Sequence, residues 1–233
     1  RGAAYPPDVL GFSQLLNMEQ VPHVFINERG LNKKILQKYN VLFVCNAMSL
    51  SEDNLAEIRD FARSGGTVYL SNRVAASNEN GDLRDQWSFA DDFKMERIDR
   101  PITAEKLFIG DDFQAVFESE IPIHGVRCRP AEDSAAKVLC EFETKQGVRF
   151  PAAFEVAYGK GRMIYSPLLL GVPAQDREFG TTKKYDFVRS PNAEKAVLIL
   201  LQEIVTEDNR VWQPLNVPED IVTNIHRDKG ELT

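Results

Sequence analysis

Residues 38–74 constrain the fold more than any other stretch of the sequence. The apolar run at 41–45 is rich in β-branched and aromatic residues, which is typical of a strand buried on both faces. Ser51 then predicts the N-cap of an amphipathic helix, and Gly65 and Gly66 predict its end before a second β-branched run. The stretch therefore predicts a right-handed βαβ unit, and a reaction site is expected in the loops after its strands.

The sequence before this unit continues the same alternation. Residues 5–20 predict a helix that Pro22 ends, and 23–26 predict a short strand, followed by a short helix or turn within 31–39. This order predicts an α/β fold with a mostly parallel sheet between two layers of helices. In such a fold a strand normally precedes the first helix, so we expect that strand to be missing or to lie upstream of Arg1.

The second half of the chain is richer in strand patterns. Residues 95–135 show no single period and predict an insertion of short strands at 107–109, 115–117 and 121–123. Residues 137–144 alternate as a strand does. Two further apolar runs around Gly159-Lys160-Gly161 predict a β-hairpin rather than a phosphate-binding loop, which would require spaced glycines and a following helix.

The pattern changes again near the C-terminus. Asn192 predicts the N-cap of a long amphipathic helix, and an extended, proline-containing stretch begins near residue 211. Residues 221–226 predict a strand that stops at Asp228-Lys229-Gly230. We therefore predict two parts, an α/β domain at 1–213 and, at 214–233, a linker with the first strands of a β-rich domain.

Composition and charge exclude several classes of protein. The chain of 233 residues is 43% hydrophobic and 27% charged, as in soluble globular proteins. Its net charge of −7 is spread along the sequence, which argues against nucleic acid as a partner, and no apolar run is long enough to span a membrane. The three cysteines are widely spaced, so they predict neither a disulfide framework nor a zinc site. We expect no metal and no cofactor.

The compartment is not fixed by the sequence. The chain begins with Arg1 and shows no signal-like apolar segment, so we expect a processed or excised piece of a longer protein. A cytoplasmic or periplasmic location in a bacterial-type cell fits the soluble composition.

A nucleophile elbow, a sharp turn after a strand that carries the reactive residue, is one catalytic arrangement for this kind of fold. It requires Gly-x-Cys-x-Gly or Gly-x-Ser-x-Gly, because the flanking glycines permit the strained turn. Cys45 and Ser71 end the two strands of the βαβ unit, and neither has glycine at these positions. The three histidines lie far apart along the chain, at 23, 124 and 226, without a base-like partner nearby. The sequence predicts no catalytic residue, although a triad assembled from distant positions stays open.

Carboxylates and aromatic residues offer a weaker carbohydrate signal. Adjacent acidic pairs occur at 91–92, 111–112 and 132–133, but neighbouring loop carboxylates are usually just hydrated, so we predict no glycosidase pair. Trp87 and Phe89 could form a platform for a sugar ring, while core packing of these residues and Phe93 is the competing interpretation.

Several motifs, taken in order, resemble one known domain. The match begins with the stretch VLFVCNAMSLSEDNLAEIRDFARSGGTVYLSN. It continues with Gly81, Arg84 and SFADDF, and then with FPA and YGKGRMIYSP. It ends with the tail DIVTNIHRDKGELT. Together they resemble the trimerisation domain of microbial β-galactosidases, which has the class I glutamine amidotransferase-like fold. Cys45 and Lys94 depart from the family pattern, which commonly has proline and glycine there.

The resemblance implies a three-layer α/β/α sandwich with flavodoxin-like strand order and a β insertion. It also implies that the domain has lost its nucleophile, that Ser71 and Asn72 occupy a vacated elbow position, and that any glycoside hydrolysis belongs to a preceding barrel. The expected function is a non-catalytic accessory domain of a β-galactosidase-like protein of carbohydrate metabolism. The expected partners are further copies of the chain or its own upstream barrel, with a carbohydrate as a third candidate. The alternatives are a stand-alone sugar-binding module and an amidotransferase-like hydrolase.

Overall fold

The computed structural model describes residues 5–171, 190–205, 227–228 and 231–232. Within these residues the chain forms a seven-stranded mixed sheet with helices on both faces. The predicted α/β class is confirmed. No helix among the described residues is long and apolar enough to cross a membrane.

The predicted βαβ unit forms one end of the sheet. Strand β1 (Val41–Cys45) leads through helix α3 (Glu52–Arg63) to strand β2 (Thr67–Ser71), and β1 and β2 are parallel. Strand β7 (Gly161–Ser166) lies parallel to β2 on its other side. Among the strands that the structure describes, only β2 pairs with β1, so β1 is an edge of the described sheet.

Antiparallel strands form the rest of the sheet. Strand β6 (Arg149–Tyr158) pairs with β7 as the predicted hairpin, and β5 (Lys137–Glu143) pairs with β6. The insertion contains two long strands, β3 (Met95–Ile109) and β4 (Ala115–Pro130), rather than the predicted short ones. Two register shifts in the β3–β4 ladder break the alternation of side chains, which explains why the sequence suggested separate short strands. The order is β1-β2-β7-β6-β5-β3-β4.

The helices form two layers. Helices α1 (Tyr5–Met18) and α5 (Pro191–Ile204) pack in one apolar cluster with Tyr69, and α3 packs in a second cluster with Leu42 and Val44. Because neighbouring strand residues point to opposite faces, the two clusters lie on opposite sides of the sheet. The short helices are α2 (Lys33–Leu36) and α4 (Ala90–Phe93), with single 3₁₀ turns at Glu28–Gly30 and Asp111–Phe113.

Three local predictions need correction or qualification. Helix α1 ends at Met18, and Gln20 already has a left-handed backbone. Ser190 holds the N-cap position of helix α5 without a side-chain capping hydrogen bond, and Pro191 lies in the first turn, so Asn192 lies inside the helix. The strand predicted at 23–26 does not form, because no strand among the described residues pairs with this segment.

The C-terminal part is described only in fragments. Strands β8 (Arg227–Asp228) and β9 (Glu231–Leu232) pair antiparallel. The predicted linker and strand at 211–226 lie outside the described residues, so the division into 1–213 and 214–233 stays a prediction.

The N-cap of α3 provides a test of the local signals. The Ser51 Oγ atom accepts a hydrogen bond from the Asn54 backbone N–H, as the sequence predicted for a cap. We expect Ser51→Ala to lower the free energy of unfolding by about 1 kcal/mol in urea denaturation. Ser64→Ala at the exposed other end of α3 is the control and should change it by less than about 0.5 kcal/mol. Equal effects of the two substitutions would contradict the capping role.

Candidate functional site at the carboxyl edge of the parallel strands

The parallel strands end at one edge of the sheet, where α/β proteins usually place their sites. Cys45, Ser71 and Ser166 are register partners at this edge. The next residues, Asn46 and Asn72, have φ values of 46° and 49°. Asparagine tolerates this left-handed conformation better than most residues, so both strands end in sharp turns without glycine.

A buried carboxylate lies at this edge. The Ser71 Oγ–H donates to Asp8 Oδ2 at 2.5 Å, and the Gly171 N–H donates to Asp8 Oδ1 at 2.8 Å. The Asn46 N–H in turn donates to Ser71 Oγ at 2.8 Å. Asp8 and Ser71 are both 0% exposed. The network thus ties α1, β2 and the turns after β1 and β7 together inside the protein.

No sequence pattern marked Asp8 as a residue of this site. An acidic residue in the first turn of a helix is usually assigned to the helix dipole, and Asp8 holds that position in α1. The available signal was that a helix layered on a parallel sheet can begin at the carboxyl edge, so its first turn faces the strand ends. The pairing of Asp8 with Ser71 depends on packing between residues 63 positions apart.

The electrostatics of this edge favour neutral side chains. Burial raises the pKa of Asp8 to about 6, against the opposing effect of the hydrogen bonds from Ser71 and Gly171. Burial and the nearby Asp8 raise the pKa of the Cys45 thiol well above its ordinary value. Because the thiolate is the nucleophilic form, Cys45 is held unreactive at neutral pH.

Ser71 lacks the partners of a serine nucleophile within the described residues. Its proton is donated to Asp8, and none of the described histidines hydrogen-bonds to it. The His23 Nε2 atom instead lies 2.7 Å from Ser13 Oγ, and His124 belongs to strand β4. His226 lies outside the described residues. What Ser71 and Asp8 form is a buried hydrogen-bonded pair without an imidazole base.

Asn72, at the predicted elbow position, fastens β2 to the end of β7. Its N–H donates to the Ser166 carbonyl at 2.7 Å, and its Nδ2 donates to the Pro167 carbonyl at 3.1 Å. The Tyr165 hydroxyl donates to the Asn72 carbonyl at 2.8 Å. The side chain is 5% exposed, so all of these groups are used inside the protein.

The aromatic residues considered as a sugar platform lie in the core. Trp87 is 6% exposed and Phe89 is 0% exposed. The Trp87 ring centroid is 4.3 Å from that of Tyr165 and 5.7 Å from that of Phe93, and its Nε1–H donates to the Val74 carbonyl. A sugar would have to displace core side chains to stack on either ring.

A large apolar cavity lies beside the free edge of β1. It has a volume of about 650 Å³ and reaches the same carboxyl edge of the sheet. Its walls are one side of α1, the extended segment 21–28, strand β1 and the turn at 46–50. We call this cavity the β1 groove. No sequence pattern indicated it, because its walls come from elements that only packing brings together.

Removing the Ser71 hydroxyl tests its structural role. Ser71→Ala would leave the buried Asp8 oxygen and the Asn46 N–H without their partner. We expect a loss of about 1–3 kcal/mol in the free energy of unfolding. Chemical denaturation followed by fluorescence measures it, with Ser64→Ala as the exposed control. Unchanged stability of Ser71→Ala would contradict this assignment.

The comparisons with known proteins find the same fold in larger proteins and in one of similar length. The sequence matches no protein-family model and no curated protein. A β-galactosidase from Bacillus circulans sp. alkalophilus matches with a TM-score of 0.72 and 14% identity, over 98% of this chain and 30% of that chain. A GH42 β-galactosidase from G. stearothermophilus matches with a TM-score of 0.59 and 19% identity, over 70% of this chain and 23% of that chain.

A ThuA-like protein from Bacteroides uniformis also matches, with a TM-score of 0.57, 13% identity, and coverage of 88% of this chain and 86% of that chain. The chain spans less than a third of the length of both β-galactosidases. At these identities the likeness establishes the fold and not the function. The chain therefore has an α/β fold that is also found in part of two β-galactosidases and in nearly the whole of a ThuA-like protein.

Proposed function

We propose that this chain is a non-catalytic accessory domain of a glycoside hydrolase-like protein, and that it supports assembly. It would do so by self-association or by packing on a catalytic barrel of the same protein. Its substrate chemistry would then belong to another part of that protein.

The observation that carries the proposal is the state of the carboxyl edge. In this fold a reactive side chain would follow β2, where Asn72 has its side-chain amide bound to the Pro167 carbonyl. Ser71 is fully buried against Asp8, and the Cys45 thiol has a raised pKa. These groups are arranged to hold strand ends together rather than to meet a substrate.

The solved structures add independent support. One match covers 98% of this chain but only 30% of a β-galactosidase, so a domain of this shape occurs within such an enzyme. The ThuA-like protein shows that the fold also occurs with little additional chain. The fold is thus compatible with both an attached and an independent unit, and the β-galactosidase matches favour the attached one.

Exposed apolar side chains provide surface for assembly. Leu83 is 68% exposed and Phe25 is 63% exposed, and Val24, Val116 and Val148 are also about half exposed or more. Single exposed apolar residues are common on monomers, so this observation supports assembly only together with the two preceding ones.

Sedimentation equilibrium over a wide concentration range tests the assembly role. We expect a weight-average mass above the 26.3 kDa of one chain, rising with concentration. Leu83→Glu, Phe25→Glu and Val116→Glu, made singly, identify the contact, and the substitution at the contact should shift association to higher concentration. A mass of one chain at every concentration contradicts self-association and restricts the proposal to packing on a catalytic barrel of the same protein.

Two further measurements separate the competing functions. Calorimetric titration with a panel of β-linked sugars should give no heat, and heat with one of them would favour a sugar-binding module. Hydrolysis of chromogenic esters or amides that disappears in Ser71→Ala would favour an amidotransferase-like hydrolase.

A further inference from the structure

A row of alternating charges crosses the four neighbouring strands β4, β3, β5 and β6. Lys106 of β3 is the register partner of Glu118 on β4 and of Glu143 on β5. Glu143 is in turn the register partner of Arg149 on β6. Because directly opposite residues of paired strands share one face of the sheet, the four side chains stand side by side. We call these four residues the charged row, and in strand order their signs are minus, plus, minus and plus.

The charged row lies on the sheet face that points away from helix α5. Leu107 and Phe142, which adjoin members of the row along β3 and β5, belong to the apolar cluster that contains α5. Since neighbouring strand residues point to opposite faces, the row points the other way. The side chains of Glu118 and Arg149, at the two ends of the row, are 75% and 52% exposed. The row therefore lies on an open part of the sheet.

A second, less polar row lies beside the charged row on the same face. It consists of Val116, Phe108, Glu141 and Pro151, which are register partners across the same four strands. Val116 is 52% exposed, whereas Phe108 is 3% exposed and has the Arg149 guanidinium carbon 3.7 Å from its ring centroid. The face thus combines apolar surface with an arginine laid over an aromatic ring, and both features are common in protein interfaces.

The order of the charges indicates what this face fits. The charged row has two positive and two negative members, so a uniformly acidic or uniformly basic surface gains little from contact with it. Its complement is the reverse order of signs at the spacing of neighbouring strands, about 4.8 Å. The same row, turned over, presents that order. The face is therefore electrostatically complementary to a second copy of itself.

The same charges determine the symmetry of such a contact. A two-fold axis along the strands, midway between β3 and β5, places Glu118 against Arg149 of the second copy. It also places Lys106 against Glu143 of the second copy, and Val116 against its Pro151. An axis perpendicular to the strands would instead place each member of the charged row against its own equivalent, with like charges opposed. Only the first arrangement brings opposite charges together along the whole row.

We propose that two copies of this chain form a dimer through this face, with their strands aligned and their charged rows opposed. The inference rests on the self-association branch of the proposed function and names its surface and symmetry. Sheets packed in this way lie about 10 Å apart, with strand directions within about 30° of each other. A face of two rows across four strands is small, so the dimer is weak and sensitive to salt. Because both copies use the same face, association ends at two copies.

Sedimentation equilibrium of charge-reversal variants at low ionic strength tests the proposal. Arg149→Glu and Glu118→Arg each place like charges against one another, and each such contact occurs twice in the dimer. We expect either substitution to raise the dissociation constant about tenfold. An equimolar mixture of the two variants should associate about as tightly as the unaltered chain. In the mixed dimer, both altered contacts again join opposite charges.

A matched control changes the same type of residue elsewhere. Arg129→Glu, near the far end of β4, alters an exposed ion pair with Glu96 and should change the dissociation constant by less than about twofold. Val116→Glu should weaken the dimer, whereas Leu83→Glu and Phe25→Glu should not. Added salt at about 1 M should weaken it too, because the Debye length falls to about 3 Å.

A second pair of variants repeats the test at the inner contacts of the charged row. If an outer variant does not fold, Lys106→Glu and Glu143→Lys are compared singly and as a mixture. We again expect weak association of each variant alone and restored association of the mixture. Urea denaturation of every variant separates a loss of association from a loss of folding.

The other outcomes overturn the inference in distinguishable ways. A mass of one chain at every concentration and low salt removes the dimer and leaves only packing on a catalytic barrel from the proposed function. A dimer with the same dissociation constant in both outer variants, or a trimer, overturns this surface while self-association itself stands. A mixture that associates no better than either variant alone overturns the two-fold arrangement.

Discussion

Replacing Trp87 with alanine is expected to lower the free energy of unfolding by about 3–5 kcal/mol. The Trp87 ring contacts Phe93 and Tyr165, and Arg97 lies over it at 5.8 Å from its centroid. The substitution removes these contacts and leaves the Val74 carbonyl without the indole donor. Urea denaturation followed by circular dichroism measures the loss.

Leu83→Ala is the control for this prediction, because Leu83 lies close in sequence and is 68% exposed. It should change the free energy of unfolding by less than about 0.5 kcal/mol. Native stability of Trp87→Ala together with a loss of sugar binding would show that the ring is a binding platform. That result would contradict the placement of Trp87 in the core.

The stability of the protein is expected to fall by about 3 kcal/mol as pH rises from about 3 to about 7, through Asp8 alone. Its pKa is raised from 3.8 to about 6 in the folded protein. The folded state therefore holds the Asp8 proton more tightly than the unfolded state does. This contribution is fully present below the unfolded pKa of 3.8 and is lost as pH rises through about 6.

Asp8→Asn should remove this pH dependence, because the amide does not ionise. Asp85→Asn is the matched control at an exposed position and should leave the slope unchanged. Cys45 and Tyr69, which also face Asp8, have raised pKa values and stay neutral over this range. Denaturation in urea at a series of pH values gives the result. A slope that is the same in wild type and Asp8→Asn would show that the pKa of Asp8 is the same in the folded and the unfolded protein, and would contradict this prediction.

Local sequence signals predicted much of the fold. Periodicity and turn residues located β1, α3 and β2, and the glycines at 159 and 161 located the β6–β7 hairpin. These elements are set by contacts within a few residues, so a single sequence contains the information. The insertion was described as short strands because the bulges of β3 and β4 interrupt the alternation on which the prediction depended.

The candidate site was less predictable, because its parts are brought together by packing. The sequence placed Ser71 and Asn72 at the end of β2 but gave no sign of Asp8, which lies 63 residues before Ser71. The absence of the strand at 23–26 has the same origin, since a strand requires a neighbour as well as a suitable sequence. Trp87 and Phe89 show a related limit, because the same aromatic residues serve a core or a binding surface.

We conclude that, among the described residues, the carboxyl edge of the parallel strands holds no reactive side chain. Intact-mass spectrometry of the native protein after incubation with a fluorophosphonate and with iodoacetamide tests it most directly. We expect no adduct at Ser71 or Cys45 until denaturant unfolds the protein, because both side chains are buried. A stoichiometric adduct at either residue in the folded protein at neutral pH would contradict it.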